Sequence, residues 1–149
     1  MNQHADLEGM NQLLKGSYMG ESIFQDLKEN LKNQKLISEF GHFLSIFQMH
    51  KDYLQSYVEK EGGTPSDDAG VMGSITDFLF HMKTMTITSD EEIISQSIDH
   101  MAMAIKALDE FEKRHSFLEV DEQKILSMMM HDYQSIYSTL KRIAIEFHV

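Results

Sequence analysis

The stretch Gly62–Ser89, GGTPSDDAGVMGSITDFLFHMKTMTITS, decides how the rest of the chain is read. It opens on Gly62-Gly63 and the only proline, Pro65, and passes through a polar turn to Gly70. Apolar residues at helical spacing follow: Val71, Ile75, Phe78 or Leu79, Met82 and Met85. That spacing predicts a short helix over about 71–85. The stretch closes on Ser89-Asp90-Glu91-Glu92, where Ser89 can cap the next helix and Glu92 can reach back to it. A turn of about two to eight residues suffices between neighbouring antiparallel helices. This connection is far longer. About fifteen helical residues at roughly 1.5 Å each, with extended ends, reach on the order of 40 Å, the length of a long bundle helix. The prediction is two helical hairpins joined by a crossover, residues 62–89, that can run the length of a four-helix bundle.

Working outward, the flanking segments read as long amphipathic helices at about 6–32, 35–61, 90–115 and 120–147, in a single domain over 1–149. The inner stripe of the first is Leu7, Met10, Leu14, Ser17, Glu21, Phe24, Leu31. The second, the most apolar, carries Leu36, Phe40, Phe43, Phe47, His50, Leu54 and Tyr57. The third turns Ile94, Ile98, Met101, Ile105 and Leu108 inward, and the fourth Ile125, Met129, Asp132, Ile136, Leu140, Ile143 and Phe147. The fold class is all-α. An arrangement with the third helix directly beside the second, the crossover folded outside, is the alternative.

Composition narrows the function. Thirteen basic against 24 acidic residues give a formal net charge of -11, which opposes nucleic acid and anionic membrane surfaces and tolerates cations. There is no cysteine, hence no disulfide and no thiol chemistry. The N-terminal stretch lacks the basic start and unbroken apolar core of a secretory signal, and no apolar run is long enough to span a membrane. The expectation is a cytoplasmic protein.

Lys15-Gly16 with Gly20, the run Glu59-Lys60-Glu61-Gly62-Gly63-Thr64-Pro65, the segment Gly70–Lys83 and Lys106-Ala107-Leu108-Asp109-Glu110 are turn and packing signals. Over roughly residues 7–145 they resemble a family of bacterial ferritin-like four-helix bundles of unknown function. The resemblance implies that fold, an association with stress or dormancy, and iron or manganese binding by analogy with ferritins. The chain departs from the family pattern at Tyr18, Met19, Ile46, Phe47 and Met101, where carboxylate or other polar residues are common.

A ferritin-type dimetal centre needs a Glu from each of two helices and Glu-x-x-His from each of the other two. Only one such motif occurs, Glu39–His42, and its histidine points about 100° or more away from the apolar stripe of its helix. His131 also faces outward. A looser set remains: Glu21, His50 and Asp132 fall within apolar stripes, His100 at the edge of one, each near the middle of its helix. Two imidazoles and two carboxylates suit one Fe, Mn or Zn ion. Satisfied singly, the same groups form a buried hydrogen-bonded network instead. His4, His81, His115 and His148 read as solvated. No nucleophile elbow or phosphate-binding glycine loop is present. Met128-Met129-Met130, with Met101 and Met103, suggests either a second apolar face for a partner or second subunit, or ordinary core filling with one stray exposed methionine. The expected function is a non-catalytic bundle acting through self-association or a protein partner. The alternative is a metal-binding or redox bundle using the four mid-helix groups; an enzymatic version would be a metal-dependent oxidoreductase.

Overall fold

In a computed structural model, residues 6–68, 89–115 and 117–149 are described. The short crossover helix expected at about 71–85, and His81 on it, lie outside them. Four helices form: α1 (Leu7–Glu29), α2 (Gln34–Lys60), α3 (Asp90–Arg114) and α4 (Val120–Glu146).

Helix starts are set by side-chain acceptors that satisfy the first free N–H groups. Asp6 accepts from the Gly9 N–H at 2.8 Å, Asn33 from Leu36 at 3.2 Å, and Ser89 from Glu92 at 3.2 Å. At the start of α4, Glu122 reaches back to the Glu119 N–H at 3.0 Å. Its other oxygen accepts from the Asp6 N–H at 2.8 Å. One fully buried carboxylate therefore ties the beginnings of α1 and α4 together.

The first helix stops short of the expected Lys32. Asp90 accepts hydrogen bonds from the Lys32 and Asn33 N–H groups, both at 2.9 Å, and so fastens the α1–α2 turn to the start of α3. Leu31 is buried in that turn rather than on a helix. At the opposite end, Asn11 donates to the Thr64 carbonyl at 3.1 Å and accepts from the Ser66 N–H at 3.0 Å. The chain thus leaves α2 beside the beginning of α1 and re-enters beside its end, on the order of 30 Å away.

This anchoring makes the helices run up, down, down, up. α1 packs on α2 and α3 on α4, while α2 with α4 and α1 with α3 close the square more sparsely. Every neighbouring pair is antiparallel, and α2 and α3 lie on a diagonal. The result is the ferritin-like arrangement with one long crossover, not the alternative with α3 beside α2.

The core of the α1–α2 hairpin is aromatic. Phe24, Phe40, Phe43 and Phe47 pack with ring centroids 5.4 to 5.9 Å apart. Gly20 makes this packing feasible, because a Cβ there would lie 2.5 Å from Cε1 of Phe47. Met101 and Met129 join the core, with Met128 and Met130 half-buried against it. Of the two readings of these methionines, core filling with one exposed residue fits: Met128 and Met130 straddle the buried line Leu126–Met129–Tyr133 of α4, and Met103 stands exposed. In α3 the buried side includes Ile93, Ser97, His100 and Phe111, so Ile98 and Ile105 become its edges.

Candidate functional site

The four ionisable groups singled out from the sequence are divided between separate places. His50 is fully buried, and its Nε2 lies 2.8 Å from Oδ2 of Asp132 on α4. A carboxylate only accepts, so Nε2 carries the proton and Nδ1 is left with its lone pair. Nδ1 is buried without a hydrogen-bond partner among the described residues, facing surroundings that include Phe47 and Tyr133 at centroid distances of 6.4 and 5.7 Å. Burial lowers the His50 pKa below its ordinary value, against the opposing hydrogen bond and charge of Asp132. The imidazole is held neutral.

Glu21 does not join this pair. It stands at the α1–α2 boundary with its side chain 32% exposed, bonded to Lys51 Nζ at 2.8 Å. The same ammonium sits over the Tyr18 ring, 4.5 Å from its centroid, and the Tyr18 hydroxyl accepts from Gln55 Nε2 at 2.7 Å. Lys51 is almost wholly buried, its stem packed and its charge carried to the edge of the bundle.

His100 is on the buried side of α3 rather than its edge. Its ring meets Phe24 edge-on at 5.6 Å. Burial lowers its pKa to about 4. Tyr133, beside His50, is pushed upward by burial, with Asp132 adding to the shift and the Ser17 hydroxyl opposing it.

Among the described residues no three His, Asp or Glu side chains are grouped to hold a metal ion. Nor do the residues present fit a ferritin-type dimetal centre. The core between the helices is filled by Phe24, Phe40, Phe47, Met101 and Met129, while His42 and His131 are exposed, as their helical positions require.

Three polar features escaped the sequence reading. Lys51 was hidden because a lysine at a stripe's edge ordinarily stays in water. Glu122 was signalled only by the Glu119-x-x-Glu122 spacing of a capping box. It faces Tyr57, whose hydroxyl is raised in pKa by burial and by the Glu122 charge. His115, expected in solvent, instead stacks on Phe111 at 4.0 Å and pairs with the Asp6 carboxylate.

Among the described residues, no helix is long and apolar enough to cross a membrane. No curated protein matches the chain. The fold is shared with a solved structure described as "ferritin like, diiron-carboxylate proteins" from Bacillus anthracis str. Ames. The likeness has a TM-score of 0.67 at 18% identity and covers 92% of this chain and 93% of that one. A family model described as a domain of unknown function, DUF2383, matches residues 6–114. With that match spanning three of the four helices, the chain belongs to the DUF2383 family.

Proposed function

We propose that this chain is a non-catalytic ferritin-like bundle that acts by association, with a second copy or a protein partner, in a stress- or dormancy-related setting. The observation carrying this reading is the pairwise use of ionisable groups inside the bundle. His50 bonds Asp132 between α2 and α4, and Lys51 bonds Glu21 between α2 and α1. Groups used in this way hold helices in register. The outer face of α2 supports association: half-buried Ile46, Met49 and Tyr53 lie three and four residues apart on one side, the last two 39% and 52% exposed.

Light scattering over a concentration series, with a binding assay on any partner recovered, tests the proposal. The expected result is a mass above 17.3 kDa, or a stable partner, lost on Met49→Lys or Tyr53→Lys. A monomer at every concentration, whose partners ignore both lysines, contradicts it.

A second reading is metal binding of Fe, Mn or Zn. It draws on the His50–Asp132 pair, whose imidazole and carboxylate suit these ions, and on the diiron-carboxylate description of the solved neighbour. Metal content of the wild type against His50→Ala and Asp132→Ala separates the two readings.

A further inference from the structure

The sparsely packed side of the bundle, between α1 and α3, encloses a cleft of about 220 Å³. That is roughly seven times the share of liquid volume taken by one water. Its walls are mainly apolar, with Leu13, Met19, Phe47, Ala104, Leu108 and Met129 among them. His100 and Tyr133 are buried at its inner wall, while Gln12 and Arg114 are exposed at its rim. Because α1 and α3 are antiparallel, Gln12 near the start of one and Arg114 at the end of the other share one end of the cleft.

Two observations point to an occupant. The first is Gly16, in the middle of α1 and on the cleft wall. Glycine weakens a helix interior relative to alanine, yet among the described residues a Cβ at Gly16 would meet nothing within 4 Å. Packing among the described residues gives no reason for it, in contrast to Gly20. The second is Arg114, the one lysine or arginine among the described residues lining the cleft. In a chain of net charge -11 an anion is repelled except where a cation is at hand, and a guanidinium matches a carboxylate with two parallel bonds.

We propose that the cleft between α1 and α3 binds a medium-chain carboxylate amphiphile, its aliphatic tail along Gly16 and Ala104 and its carboxylate on Arg114. The tail gains by leaving water for the apolar walls, and the head group stays at the solvated rim.

Calorimetric titration of the full chain with hexanoate, octanoate, decanoate and octanol tests this. Affinity is expected to rise about fourfold per added CH₂ until the cleft is filled. Arg114→Gln weakens octanoate about tenfold, the scale of one charge-assisted bond, and leaves octanol unchanged. Gly16→Leu fills the cleft and abolishes binding of both, with helicity and Tm retained. Ala104→Leu on the facing wall does the same, and decides the matter if Gly16→Leu does not fold. No saturable binding of octanoate, or binding that survives the filling variants, overturns the site. Octanol binding as tightly as octanoate overturns the role of Arg114.

Discussion

Nε2 of His50 lies 2.8 Å from Oδ2 of Asp132, while the Nδ1 of the same ring is buried with no hydrogen-bond partner among the described residues. The two halves of this imidazole therefore have opposite effects on stability. The Nε2 bond joins α2 to α4, where few other contacts do; the unpaired Nδ1 is a desolvated acceptor that folding leaves uncompensated.

The asymmetry predicts the order of two substitutions. Asp132→Ala strands a buried donor and costs roughly 1–3 kcal/mol. His50→Leu removes the donor and the unpaired acceptor together and leaves Asp132, whose side chain is 20% exposed, to water. It costs less than Asp132→Ala. Urea unfolding of both variants checks the order.

Acid weakens the fold through its buried histidines. His100 has a pKa of about 4 in the folded chain against the ordinary 6.5. Between these values the unfolded chain binds a proton that the folded chain does not. Stability is complete above about pH 6.5 and falls as pH drops towards 4, by up to roughly 3 kcal/mol from this group. His50 acts in the same direction. Unfolding at about pH 7 and about pH 4.5 is expected to show a smaller difference in His100→Leu than in the wild type.

The two glycines of α1 respond oppositely to alanine. Gly16→Ala adds a Cβ in open space and stabilises by about 1 kcal/mol through helix propensity. Gly20→Ala drives a Cβ into the Phe47 ring and destabilises by about 1–3 kcal/mol, the range for overpacking. Thermal unfolding of the pair shows both signs in one experiment.

Glu122 is expected to matter more than a single cap. Its two oxygens accept the N–H groups of Asp6 and Glu119, so Glu122→Ala removes two charge-assisted bonds, each worth about 1.5–3 kcal/mol. Hydrogen exchange would locate the loss at the starts of both α1 and α4. Protection lost at α4 alone would contradict the tie.

The helices were legible in the sequence because apolar residues recur at spacings of three and four over long spans, and the crossover because its length exceeds any hairpin turn. The end of α1 was not, because Leu31 continues the apolar rhythm while Asp90, distant in sequence, takes up the N–H groups of Lys32 and Asn33. The candidate site was legible only in part. His50 and Asp132 met as their stripes suggested. Glu21 was diverted by Lys51, a partner that a single helical wheel does not reveal. His100 sat deeper than expected because α3 is rotated towards Ile93 and Ser97.

The central claim is that His50 with Asp132, and Lys51 with Glu21, serve the packing of the bundle in pairs. Metal content by mass spectrometry tests it most directly, on tag-free protein purified without chelator and then offered Fe(II), Mn(II) and Zn(II), beside His50→Ala and Asp132→Ala. The account predicts metal far below one equivalent in all three proteins. Near-stoichiometric metal in the wild type, lost in both variants, would contradict it.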